Sequence, residues 1–262
     1  MSGGARIRAA IESARANRRP ALVAYLTAGF PRLDQFGPLL RATDAAADVI
    51  EVGVPFSDPM ADGATIQRSS RVALEQGVTL RWILDALGGL APHARAPILL
   101  MSYLNPLLAG GLTETIRRAA AAGVAGFIIP DLPLEESPGL RELARSHGMA
   151  LVQMVTPVTP DERIRALAAA TDGFLYAVTV AGITGGSAAS PGEEQRIGAY
   201  LDRVRSLSGG AMTCAGFGVR SRAQVRALAP HADGVIVGSA LIEAIENKQN
   251  ITNFLTELVS TT

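Results

Sequence analysis

The chain has 262 residues, of which 48% are apolar, so there is material for one large core. No apolar run reaches the ~18–20 residues that a membrane span requires. Lys plus Arg total 24 and Asp plus Glu total 24, a balance that argues against nucleic acid or an acidic membrane surface as a main partner.

From Ala5 to Arg19 the sequence is Arg-rich, but Ile7, Ala10, Ile11 and Ala14 form one apolar helical stripe and Glu12 interrupts the positive charge. This predicts an ordinary first helix rather than a transit peptide. Eight short apolar runs follow: 21–26, 48–52, 97–101, 124–129, 150–154, 173–178, 211–215 and 234–237. Most are continuously apolar, as parallel strands covered on both faces must be. Helical periodicity separates them, at Leu39–Leu40, Leu140–Ala144, Ile164–Ala168 and Val225–Leu228 for example. Ala122-Gly123, His147-Gly148 and Ser208-Gly209-Gly210 supply glycines where helices turn back towards strands. Eight βα units predict a (β/α)8 TIM barrel with an extra N-terminal helix, residues 1–262 forming a single domain of the usual ~250-residue size. A doubly wound open sheet is the alternative; eight even units and no early GxGxxG disfavour it. The long intervals between the second and third and the sixth and seventh strands are expected to hold active-site loops.

On this fold, the loops after the last two strands commonly bind phosphate. Here they read Gly216-Phe217-Gly218 and Gly238-Ser239, and Gly182-Ile183-Thr184-Gly185-Gly186 follows the sixth strand. Glycine lets backbone N–H groups approach an anion, and a helix N-terminus adds positive potential. Acid–base candidates gather after the second strand, in the stretch 51–63. Glu51 stands between Ile50 and Val52, where a carboxylate is costly unless it is paired with an arginine or used in chemistry. Desolvation there raises a carboxyl pKa, which suits a general acid or base. Asp62, in a loop of prolines and glycine, reads equally well as a solvated turn residue, a helix N-cap or a functional group. Asp58 and Asp131 fit structural or interface roles, while Tyr103, Asn105 and Tyr176 stand at or beyond strand ends, where they can line a pocket or, for the aromatics, simply pack.

His93, His147 and His231 fall at helix ends on the opposite rim and lack metal-ligand spacing, so no metal site is expected. Cys214 lies within the seventh strand as a small buried residue; as the single cysteine, with no signal-peptide pattern ahead of the first helix, it fits a reducing cytoplasm. Lys248 is the only lysine and is assigned to the final helix, so no strand offers a Schiff-base amine. Carbon–carbon cleavage on this barrel therefore requires the substrate to supply its own electron sink, with carboxylates moving protons.

The stretch EVGVPFSDPMADGATIQ, from Glu51 to Gln67, closely resembles the signature of the tryptophan synthase α subunit family. Supporting matches cover essentially the whole chain: Leu26-Thr27-Ala28-Gly29, Tyr103-Leu104-Asn105-Pro106, the run Pro130 to Glu136, Ala181 to Gly185, Gly216-Phe217-Gly218 and Gly238-Ser239. The resemblance implies retro-aldol cleavage of indole-3-glycerol phosphate to indole and glyceraldehyde 3-phosphate, late in tryptophan biosynthesis. By it, Glu51 and Asp62 are catalytic, and Tyr25, Tyr103, Tyr176, Thr184 and Phe217 bind or frame the substrate. Gly185, Gly218, Gly238 and Ser239 would take the phosphate. Pro55, Asp58, Pro59, Asn105, Asp131 and Pro133 would meet a β subunit in an αββα assembly. No cofactor is implied for this chain, and pyridoxal phosphate is implied only in the β partner. Val180, Ala64 and the segment Gly186–Gln195 depart from the family pattern, in regions expected to close over substrate and sense the partner. Two alternatives to an ordinary α subunit are a stand-alone lyase releasing free indole and a catalytically idle regulatory barrel binding a β-like partner.

Overall fold

The computed structural model describes residues 1–179, 191–216 and 218–260. Helix α1 (Gly3–Ala16) begins at Ser2, whose hydroxyl accepts the Ala5 N–H. Its stripe of Ile7, Ile11 and Ala14 is buried among Val23, Val49, Leu99, Val152 and Phe174, residues of the barrel interior. The helix therefore plugs the N-terminal mouth of the barrel. Its first residue has to be glycine, because a Cβ at Gly3 would lie 1.8 Å from the Ala125 carbonyl oxygen.

Eight parallel strands close in sequence order: β1 (Ala21–Thr27), β2 (Val49–Gly53), β3 (Ile98–Met101), β4 (Gly126–Ile128), β5 (Ala150–Val155), β6 (Leu175–Val178), β7 (Thr213–Gly216) and β8 (Gly234–Val237). The connections between them carry α2 (Leu33–Asp44), α3 (Ala64–Glu75), α4 (Leu80–Leu90), α5 (Leu104–Ala109), α6 (Leu112–Ala121), α7 (Pro138–Ser146), α8 (Asp161–Ala170), α9 (Pro191–Leu207) and α10 (Arg222–Leu228). After β8 come α11 (Ser239–Glu246) and α12 (Ile251–Val259). Every strand run read from the sequence is present, with ends moved by up to two residues. The long interval between β2 and β3 holds two helices, α3 and α4, beyond a loop of residues 54–63. Lys248 is not in the final helix: it occupies the turn between α11 and α12 at φ 53°, which leaves the strands without a lysine as before.

Side chains alternate between two cores. Ile50 and Val52 face outwards into the layer between sheet and helices, whereas Val49 belongs to the interior. Glu51 falls on the inward side of this alternation. Three aspartates just before strands tie the N-terminal rim. Asp48 accepts the Leu22 N–H at 2.8 Å, Asp172 the Leu151 N–H at 3.1 Å and Asp233 the Thr213 N–H at 2.8 Å. Each also holds an arginine: Arg19 on Asp48, Arg145 on Asp172 and Arg15 on Asp233. Arg15 and Arg19 thereby anchor the end of α1 and the turn after it to the barrel floor. The returns into β4 and β5 use Gly123 at φ 83° and Gly148 at φ 72°, as the helix-then-glycine pattern predicts.

Candidate active site

The C-terminal ends of the strands surround a site built in layers. Glu51 pairs in register with Tyr25 on β1 and Leu99 on β3, which sets all three on the inward face. Tyr176 on β6 pairs with Cys214 on β7 and belongs to the same interior. Two glycines make room for the tyrosine rings. A Cβ at Gly53 would stand 2.0 Å from the Tyr25 hydroxyl, and one at Gly216 would stand 2.6 Å from the Tyr176 ring. Gly216 therefore ends β7 and admits Tyr176, a packing role distinct from the phosphate-turn reading of its sequence.

Glu51 is 0% exposed, and neither carboxylate oxygen has a hydrogen-bond partner among the described residues. The arginine that a purely structural buried glutamate requires is not among them. Burial raises its pKa from 4.5 to about 8. Asp62, half-buried in the loop after β2, is raised by burial from 3.8 to about 6. It is not the helix cap of α3, since Gly63 holds that position. Ala64, one of the departures from the family pattern, is the first residue of that helix, where proline is favoured because no N–H is needed there.

The two carboxylates share neighbours. Burial raises the Tyr25 phenol, and both Asp62 and Glu51 push it further. Tyr176 behaves likewise, with Glu51 and Asp62 following burial as causes. Glu51 and Asp62 thus lie near the same two rings, Tyr25 and Tyr176, and these four groups define the carboxylate chamber. Tyr103 enters the same field: burial and the Asp62 carboxylate raise its phenol from 10.0 to about 12. Its hydroxyl accepts the Ala61 N–H at 2.8 Å, and its ring lies 5.1 Å from that of Phe56.

Sequence reasoning missed the polar groups behind this wall. Thr27 Oγ1 lies 2.6 Å from Ser69 Oγ, which joins β1 to α3, and it also donates to the Tyr25 hydroxyl at 3.5 Å. Gln67 Nε2 donates to the Asp62 carbonyl at 2.9 Å. Gln67 closes the recognisable stretch, but nothing in its spacing to Asp62 marks it as a clamp.

At the neighbouring strand ends, Gly218 adopts φ 84° after β7, and Gly238 precedes α11, whose first residue is Ser239. The first N–H groups of a helix have no intrahelical acceptor, so this end of α11 presents donors and positive potential. Tyr25 links it to the carboxylate chamber, since a Cβ at Gly238 would be 3.6 Å from the Tyr25 Cβ. Thr184, Gly185 and Phe217, with Val180 and the first half of Gly186–Gln195, residues 186–190, lie outside the described residues.

On the same rim, Asp58, Asn105, Asp131 and Pro133 are exposed and Pro59 is half-buried. Pro55 is buried, so its own ring has little surface to offer a partner. Asp131 also works internally, where it accepts the Leu104 N–H at 2.9 Å and ties the start of α5 to the loop after β4. Three large apolar side chains stand exposed after β2, β3 and β5: Met60 (92%), in the loop that the family resemblance turns towards a partner, and Leu108 (47%) and Val158 (79%), which the sequence reading did not mark.

Comparison with known proteins supplies the family. The family described as "Tryptophan synthase alpha chain" matches residues 11–261. The tryptophan synthase alpha chain of Nitratidesulfovibrio vulgaris (strain DP4) is 44% identical over 251 residues, covering 95% of this chain and 96% of that one. The one from Roseiflexus sp. (strain RS-1) is 46% identical over 234 residues, with 88% of each covered. Among solved structures, tryptophan synthase of Mycobacterium tuberculosis in space group F222 superposes with a TM-score of 0.87 at 36% identity over 96% of both chains. The barrel and these relatives lead to one conclusion: this chain belongs to the tryptophan synthase alpha chain family.

Proposed function

We infer that this chain is a carbon–carbon lyase that cleaves indole-3-glycerol phosphate to indole and glyceraldehyde 3-phosphate by a retro-aldol reaction. The observation that carries the reading is Glu51: a wholly buried carboxyl group with no partner among the described residues, in the chamber it shares with Asp62. With its pKa near 8, Glu51 is protonated at neutral pH and acts first as an acid. It donates its proton to indole C3, which turns the ring into an iminium-like electron sink. The Glu51 carboxylate then removes the proton from the hydroxyl on the carbon attached to C3. The oxygen electrons form the aldehyde, the bond to C3 breaks, and its electron pair returns to the ring. The proton count closes, and Glu51 has served as acid and then as base.

Asp62, ionised at neutral pH, accepts a hydrogen bond from the indole N–H and stabilises the positive charge that develops there. Tyr25 and Tyr176 wall the ring, with Phe217 and Thr184 assigned beside them by the family resemblance. The phosphate rests on the N–H groups at Gly218, Gly238 and Ser239, with Gly185 from the turn after β6. No step requires a metal or cofactor on this chain.

Its partner is a tryptophan synthase β subunit, carrying pyridoxal phosphate, in an αββα assembly. The exposed Met60, Leu108 and Val158 beside Asp58, Asn105, Asp131 and Pro133 support that assignment, since apolar side chains on one functional rim mark interaction surfaces. Cytoplasmic location fits a biosynthetic enzyme of this kind; among the described residues no helix is long and apolar enough to cross a membrane.

The test is indole release from indole-3-glycerol phosphate by the purified chain, alone and with a β subunit. Slow release that the partner accelerates strongly is the expected outcome. Fast release alone would favour the self-sufficient lyase, and no release in either condition would overturn the reading.

A further inference from the structure

Among the described residues no hydrogen bond aims the Asp62 carboxylate, yet the Asp62 peptide is held on both sides. Ahead of it, the Ala61 N–H donates to the Tyr103 hydroxyl at 2.8 Å. Behind it, the Asp62 carbonyl accepts from Gln67 Nε2 at 2.9 Å, and the same amide lies 3.5 Å from the Pro59 carbonyl. The two clamps come from different places: Gln67 from the first turns of α3, Tyr103 from the end of β3. The Tyr103 ring is itself fixed, being 7% exposed and packed 5.1 Å from Phe56. Its neighbour Leu104 is fastened through its N–H to Asp131, beyond β4.

We infer that Tyr103 is a positioning residue, not primarily a substrate contact: with Gln67 it fixes the peptide that carries Asp62 and so aims the Asp62 carboxylate at the substrate. A phenol suits this role. Its oxygen accepts the N–H of a loop that has no regular secondary structure to satisfy it, while its ring supplies rigid apolar packing. A carboxylate displaced by about 1 Å loses much of its effect on a developing charge, so an anchor removed at this distance appears in turnover. The chain of bonds from Asp131 through Leu104 and Tyr103 to Ala61 also links the exposed loops after β3 and β4 to the segment that carries Asp62. The inference rests on the lyase reading for what Asp62 does, but the fixing of its position stands apart from turnover.

The test uses Tyr103→Phe, which keeps the ring and its packing and deletes only the acceptor oxygen, and Gln67→Met, which deletes the second clamp at similar volume. Each variant is expected to lower kcat by on the order of tenfold while KM stays within about twofold, because the lost interaction bears on the transition state. A rise in KM with kcat unchanged would make Tyr103 a binding contact and overturn the inference. Carbon-13 NMR titration of the Asp62 carboxyl gives a readout independent of activity. In Tyr103→Phe its pKa is expected to fall from about 6 towards the ~4 of a solvated carboxylate as the loosened loop admits water. An unchanged titration would overturn the inference even if turnover fell. If the wild-type chain released no indole, the lyase reading would fail while the NMR comparison still decided the positioning role.

Discussion

Under the proposed mechanism, Glu51 trades stability for chemistry. Buried without a partner among the described residues, it carries a pKa of about 8 against an ordinary 4.5. Between these values the folded chain binds more protons at this site than the unfolded chain, so stability falls as pH rises from about 4.5 to 8. Glu51→Gln removes the titration: unfolding in urea at pH 8 is expected to show a gain on the order of 4 kcal/mol, vanishing near pH 4. The same variant is expected to abolish indole release while still binding a phosphate ligand. Asp62→Asn, measured in the same assay, is expected to cut turnover steeply. The proposed mechanism needs Glu51 protonated and Asp62 ionised, so kcat/KM is expected to trace a bell with limbs near pH 6 and pH 8. A rate that stays flat across that window would contradict the assignment of acid and anion.

Among the elements, β1, β2, β6 and β7 work as two interlocked pairs. Tyr25 on β1 occupies the space above Gly53 on β2, and Tyr176 on β6 occupies the space beside Gly216 on β7. Both rings stay close enough to Glu51 for its carboxylate to raise their phenols. A methyl group at Gly53 would meet the Tyr25 hydroxyl at 2.0 Å, and no rotation of a packed tyrosine relieves such a contact cheaply. Gly53→Ala is expected to destabilise the fold by about 1–3 kcal/mol in chemical denaturation. It is also expected to depress turnover, because the displaced ring enters the substrate's space. At the other end of the strands, α1 and the three aspartates form a closed floor. That floor leaves the C-terminal rim as the open end, where the loops have room to carry function.

At the scale of the whole molecule, chemistry and proposed partner share one rim. The loop of residues 54–63 bears Asp62 on its inner side and Asp58 and Met60 on its outer side. A partner covering Met60, Leu108 and Val158 would therefore press on the segment that carries Asp62, a physical route for the proposed acceleration by a β subunit. Val158→Asp puts a charge into that face, far along the sequence from Glu51 and Asp62. It is expected to weaken β-subunit binding by about tenfold or more in a titration. Indole release by the isolated chain is expected to stay within about twofold of wild type; equal binding would remove Val158 from the partner face.

The amino-acid sequence by itself determined the barrel, because eight apolar runs separated by helical stripes have no better way to bury both strand faces. It also marked Glu51, since a carboxylate within an apolar strand stands out against its neighbours. Its local pattern left Asp62 open among turn, cap and functional group, and Gly216 read as a loop glycine. Only the tertiary structure decided these points. The setting of Asp62 depends on Tyr103, at the end of another strand, and the need for Gly216 depends on a ring on the adjacent strand. Periodicity records which way a side chain faces along its own element. It does not record what the closing barrel brings against that side chain from another element, and burial, pKa and positioning all arise there.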